Sequence, residues 1–161
     1  MEKGLILLGA FVFVGFTLTS NTGTQDDNTL VEPVEIKEIV HDFSEEEMIA
    51  YIKELNIKFP HIVIAQAKLE SGNFKSKIFR ENNNLFGMKE AKVRISTNKG
   101  TNRGHAKYES WRDCVVDYAL YQATYLSKFK TEEQYYAYLA DNYAENGRYI
   151  KLIKKIAKDY K

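Results

Sequence analysis

Phe59-Pro60-His61-Ile62-Val63-Ile64-Ala65-Gln66-Ala67-Lys68-Leu69-Glu70-Ser71-Gly72 is the stretch on which the reading of the whole chain turns. Pro60 suits the first turn of a helix, where its missing N–H costs nothing, and Gly72 suits the place just past the end, where a left-handed residue closes the last turn. Between them Ile62 to Ala67 is apolar on every side, which predicts a helix enclosed by protein rather than laid on a surface. Polar groups arrive late, and Glu70 is the last of them. Its helical neighbours three and four residues back are Ala67 and Gln66, so a small residue and an amide share its face and leave room for a ligand. The negative end of the helix dipole and partial burial both favour the protonated carboxyl near neutral pH, the form a general acid needs. A glutamate at a frayed helix end reads the same in isolation, so the surrounding chain has to decide.

That surrounding chain, 161 residues with 44% apolar and 13% aromatic content, is long and apolar enough for one domain with a real core. A net charge of +1 conceals an asymmetry: residues 20–43 hold six acids against Lys37, whereas residues 44–161 hold 21 Lys/Arg against 15 Asp/Glu. The basic residues are spread out rather than gathered along one helix, which argues against nucleic acid as a partner. Cys114 is the lone cysteine, so neither an intrachain disulfide nor a cysteine metal site can form. His41, His61 and His105 lack ligand spacing, and neither a metal nor a cofactor is expected.

Upstream, Gly4 to Leu18 is a run of about 15 uncharged residues behind Lys3, a length that fits the apolar region of a secretory signal and falls short of a spanning helix. Residues 1–20 therefore read as a signal peptide or, if uncleaved, a membrane anchor, and export to the periplasm, envelope or exterior is expected. Any membrane attachment would run through this segment alone. Residues 21–43, polar and acidic with Pro33, read as a flexible linker.

The globular domain is placed at 44–161. Ser44 with Glu47 forms a capping-box pattern ahead of the apolar positions Met48, Ile49, Ile52, Leu55 and Ile57. After the Pro60–Glu70 helix, Ser76 caps a short turn through Phe79, and Asn82-Asn83-Asn84-Leu85-Phe86-Gly87-Met88-Lys89 reads as a loop. Lys92 to Thr97 alternates polar and apolar, Asn98-Lys99-Gly100 supplies turn chemistry, and His105 to Tyr108 returns, which predicts a small hairpin. Ser110 with Asp113 opens a long helix reaching Leu126, Thr131 with Gln134 caps another, and Asn146-Gly147 breaks the chain before a final helix bearing Ile150, Ile153, Ile156 and Ala157 on one face. The total is a mainly α domain of five or six helices with one hairpin. Its many aromatics, Tyr108, Trp111, Tyr118, Tyr121, Tyr125, Tyr143 and Tyr149 among them, suit a core first and a binding surface second.

In their order, Ala65-Gln66-Ala67-Lys68-Leu69-Glu70-Ser71-Gly72-Asn73-Phe74, Asn83-Asn84-Leu85-Phe86-Gly87-Met88-Lys89, Tyr108-Glu109-Ser110-Trp111 and Asp117-Tyr118-Ala119 resemble the glucosaminidase family of bacterial cell-wall hydrolases, the autolysins and flagellar-rod hydrolases. The resemblance covers about residues 44–160, including a tyrosine motif from Tyr143 to Tyr149. It implies a lysozyme-like α fold whose hairpin lobe flanks a substrate groove, with Glu70 as proton donor and Tyr143 or Tyr149 as an active-site tyrosine. Gln66, Asn83, Asn84, Phe86, Gly87, Tyr108 and Trp111 become the expected substrate contacts. The implied partner is a peptidoglycan glycan strand, the implied reaction hydrolysis of its β-1,4 bond on the reducing side of N-acetylglucosamine, and the expected state a monomer.

One departure bears on mechanism. Many relatives carry a second carboxylate in the hairpin lobe, yet Val93 to Lys107 contains no Asp or Glu. Either the substrate's own acetamido group participates, the reading favoured here, or Glu81, Glu90 or Glu109 takes that role. A lytic transglycosylase or muramidase on the same substrate, or a non-catalytic wall-binding domain, stands as the alternative.

Overall fold

The computed structural model describes residues 43–143 and 148–161, Tyr143 by its backbone alone. The expected leader at 1–20, the linker short of Phe43 and the Asn146-Gly147 break lie outside the described residues. Among those described, no helix is long and apolar enough to cross a membrane.

Helix α2 (Pro60–Glu70) buries every residue from Ile62 to Ala67, because two cores meet on it. Val63, Ile64 and Ala67 face one built with Met48 and Ile52 of α1 (Glu45–Glu54), Phe79 of α3 (Lys77–Asn82), and Trp111, Cys114, Val115 and Tyr118 of α4 (Trp111–Tyr121). Ile62 and Ala65 face the other, with Tyr135 and Leu139 of α5 (Glu132–Tyr143) and Ile153 and Ala157 of α6 (Arg148–Ala157). Each Val or Ile so enclosed contributes about 1.5–3 kcal/mol over an exposed one, which is why an all-round apolar helix settles at the centre. Its end is closed as expected: Ser71 N–H donates to Ala67 O at 3.1 Å, Asn73 N–H to Lys68 O at 2.8 Å, and Gly72 is left-handed at φ +59°.

Two of the three capping pairs read from the sequence are met in full. Ser110 and Asp113 cap α4 reciprocally, and Thr131 and Gln134 exchange bonds ahead of α5. At α1 only half of the box forms: Ser44 Oγ accepts from Glu47 N–H at 3.3 Å, but the Glu47 carboxylate accepts from Arg112 of α4 at 2.7 Å. Helix α4 continues as a π turn, Gln122–Leu126, and α6 ends in a 3-10 turn, Lys158–Tyr160.

The hairpin differs from expectation. Its strands are β1 (Thr101–Asn102) and β2 (His105–Ala106), antiparallel with Asn102 opposite His105. The turn is Arg103-Gly104, both left-handed at φ 52° and 70°, the two-residue geometry that matches strand twist. Lys92 to Thr97 is irregular, because its alternation is inverted: Val93 is 89% and Ile95 81% exposed, while the polar Arg94 turns inward. There Arg94 grips the fully buried Asp117 with its two terminal guanidinium nitrogens, and Thr97 Oγ1 donates to Asp113 O at 2.6 Å. Six helices and a two-stranded sheet among the described residues make the fold mainly α.

Candidate active site

Glu70 stands half-buried at the last residue of α2. Burial pushes its carboxyl above the usual carboxylate range, and the Tyr149 hydroxyl, hydrogen-bonded to it from the first turn of α6, partly offsets that rise. Gly87 passes close by: a Cβ added there would lie 3.8 Å from Glu70 Oε2, and at φ +63° the backbone takes a conformation that favours glycine.

Gln66, one turn back on α2, is 2% exposed and spends both ends of its amide inside the protein. Its Nε2 donates to Tyr149 Oη at 3.4 Å and its Oε1 accepts from the Tyr118 hydroxyl at 2.8 Å. Phe86, 4% exposed, packs on the Tyr118 ring with centroids 4.2 Å apart. Both residues are therefore enclosed, the Gln66 amide and the Phe86 ring being spent on protein partners.

Asn83 and Asn84 act as tethers. Asn84 Nδ2 donates to Met88 O at 3.0 Å and to Ala106 O at 2.8 Å, and its Oδ1 accepts from Met88 N–H at 3.0 Å. Asn83 Nδ2 donates to Tyr108 O and Glu109 O. Together these bonds hold the Gly87 backbone against Glu70 and join α3 to the hairpin. Tyr108 and Trp111, expected to meet substrate, are both enclosed by the protein. Tyr108 is 2% and Trp111 4% exposed. The Tyr108 hydroxyl donates to Asp117 at 2.7 Å, and Trp111 is met edge-on by Phe43 and Tyr51 with Arg112 over its ring. The Tyr143 side chain lies outside the described residues, so of the two candidate tyrosines Tyr149 is the one seen at Glu70.

An open cavity of about 340 Å³ begins at Met88, next to Gly87, and is lined further by Glu90, Lys92, Arg94, Tyr121 and Tyr125. The Arg94 guanidinium lies 5.6 Å over the Tyr121 ring, and Tyr125 is 40% exposed. Of the three candidate second carboxylates, Glu81 pairs with Arg103 and Glu109 with Lys99, while Glu90 lines this cavity. Arg94 was not singled out from sequence, and Tyr121 and Tyr125 were named only within the set of aromatics suited to a core first and a binding surface second. The spacing of Tyr118, Tyr121 and Tyr125 along one helical face was the available signal.

A carboxyl raised by burial at a helix end, with a phenol beside it, has the environment a general acid needs, and here it sits in a mainly helical domain with a small hairpin. Residues 45–161 match the glucosaminidase family, described as mannosyl-glycoprotein endo-beta-N-acetylglucosaminidase, and the chain belongs to that family. In fold it is similar to the catalytic domain of the autolysin Auto from Listeria monocytogenes, with a TM-score of 0.50 and 23% identity over 72% of this chain and 81% of that one. No curated protein matches the chain.

Proposed function

We propose that this chain is an exported peptidoglycan hydrolase that cleaves the β-1,4 bond between N-acetylglucosamine and N-acetylmuramic acid, with Glu70 as general acid. Membership of the glucosaminidase family and the fold shared with an autolysin catalytic domain support the class of enzyme. The observation that carries the assignment of the acid is the Glu70 carboxyl itself, raised by burial, held by the Tyr149 hydroxyl and adjoining Gly87. In this reading Glu70 keeps its proton near neutral pH and passes it to the glycosidic oxygen as the bond breaks. Carbonyl attack by the substrate's 2-acetamido group on the anomeric carbon takes the place of a protein nucleophile, and water then opens the ring-fused intermediate. The leaving strand departs with its new hydroxyl and Glu70, now ionised, recovers a proton from that water.

The test is Glu70→Gln on purified wall, with the released sugars identified by mass spectrometry. Turnover should fall by ~10² to 10⁴-fold, the usual worth of a general acid, and wild type should release reducing-end N-acetylglucosamine. Anhydro-muramic ends would instead mark a lytic transglycosylase, and binding with no turnover in wild type would mark a wall-binding domain. Glu90→Gln separates the two routes: retained turnover supports substrate assistance, and a loss equal to that of Glu70→Gln gives Glu90 the second role.

A further inference from the structure

Behind Glu70 a line of buried polar side chains crosses the core from the far end of α2. Its anchor is the backbone of Lys58. Gln122, first residue of the π turn, accepts from Lys58 N–H through Oε1 at 2.7 Å, and donates to Lys58 O through Nε2 at 3.0 Å. A backbone N–H only donates and a carbonyl only accepts, so the Gln122 oxygen faces Lys58 N–H and its amino group faces Lys58 O. That amino group reaches the Tyr135 hydroxyl at 3.4 Å, Tyr135 bonds the Tyr118 hydroxyl, and Tyr118 donates to Gln66 Oε1 at 2.8 Å. Gln66 Nε2 then donates to Tyr149 Oη, which bonds Glu70.

A hydroxyl has one proton to give. Tyr118 gives its one proton to Gln66 Oε1, so in the bond between the two phenols Tyr135 donates, and the Gln66 amino group faces Tyr149. The order is one-way: Gln122 to Tyr135 to Tyr118 to Gln66 to Tyr149 to Glu70. We propose that this chain, polarised by the Lys58 peptide, aims the Tyr149 hydroxyl proton at the Glu70 carboxylate, making Gln122, Tyr135, Tyr118 and Gln66 positioning residues for the acid. Chains of this kind strengthen link by link in a low-dielectric core, and π turns recur where function demands an out-of-step residue. The catalytic meaning of the chain rests on the function proposed above; its geometry does not.

Several other charged groups on elements packed against α2 are committed elsewhere. Glu45 of α1 and Tyr160 of the terminal 3-10 turn hold Lys68, and Glu132 of α5 pairs with His61. On α6, Arg148 adjoins Tyr149 and the lysines at 151, 154 and 155 are exposed. Around the loop at Gly87, Lys89 faces His105.

In the full-length protein the Glu70 carboxyl is titrated by carbon-13 NMR, its resonance assigned by its loss in Glu70→Gln. Tyr149→Phe removes a hydrogen bond to the ionised form, so its midpoint shifts upward from wild type. Tyr118→Phe and Gln122→Leu, neither touching Glu70, are expected to shift it upward as well, with no further rise in the Tyr118→Phe/Tyr149→Phe double variant. On wall substrate the same variants should lower kcat about 10- to 100-fold with KM held, the cost of a misaimed group. Tyr→Phe variants keep the core filled, so the test survives if Gln122→Leu does not fold. A Tyr118→Phe protein that titrates like wild type while Tyr149→Phe is shifted overturns the proposal, as does a Tyr149→Phe protein with an unmoved midpoint. Shifts in a protein that turns over no wall strand uphold the chain and overturn the functional reading instead.

Discussion

Arg94→Leu is the substitution that most directly probes how the lobe is held. Its guanidinium side chain is 7% exposed and its partner Asp117 0%. The two terminal guanidinium nitrogens engage one carboxylate oxygen each, and Tyr108 supplies the one further described donor, at 2.7 Å. Removing the cation strands a carboxylate where water does not reach, a loss of about 3–5 kcal/mol rather than the ~1 kcal/mol or less of an exposed pair. For a domain of this size the melting temperature should fall by roughly 10–20 °C. Urea denaturation followed by the fluorescence of Trp111, the single tryptophan and a member of the same core, measures it. Arg94→Leu combined with Asp117→Asn takes away the orphaned charge while keeping an acceptor for Tyr108, and should recover about half of the loss or more. A single variant within ~1 kcal/mol of wild type, or a double variant worse than the single, would refute the reasoning, since the pair would then be solvated and the Lys92–Thr97 segment held by something else.

Activity on wall should keep its alkaline limb above the usual carboxylate range, because burial raises Glu70, and a pH profile with the limb near an ordinary glutamate would count against Glu70 as the acid. Folding stability carries the same signature: as pH rises from the unfolded value of Glu70 through its higher folded value, the fold binds more protons than the unfolded chain and loses stability. Glu70→Gln should therefore be more stable than wild type above that window and gain nothing below it, as paired urea titrations across pH would show. Gly87→Ala meets only ordinary contact at 3.8 Å from Glu70 but must hold φ +63°, so about 1–2 kcal/mol of stability should go with it, read by thermal melts. Asn84→Ala leaves the Met88 N–H and the Met88 and Ala106 carbonyls without that side chain, and about 2–4 kcal/mol should be lost together with kcat as Gly87 drifts from the acid.

What could be read from residues alone was local or compositional. Ile62 to Ala67, apolar on every side, required an enclosed helix, and Pro60 and Gly72 marked its ends because each has a backbone preference that no neighbour alters. Ser110 with Asp113 and Thr131 with Gln134 were legible for the same reason, both halves of each cap lying within one turn. Glu70 could be picked out as an acid at a helix end and Gln66 as its neighbour. Tertiary structure decided everything whose partner is distant in the chain. Glu47 left its cap for Arg112, 65 positions away. Lys92 to Thr97 had the alternation of a strand, but Asp117 on another helix drew Arg94 inward and turned Val93 and Ile95 out. Tyr108 and Trp111, plausible sugar contacts by type, went to the core, where rings of that size release the most water. The carboxyl itself was visible from the start; its burial, the hydroxyl that holds it, the glycine that adjoins it and the direction of the protons behind it arise only when α2, α4, α5, α6 and the Asn83–Met88 loop pack together, because hydrogen bonding and desolvation depend on neighbours in space and not on order along the chain.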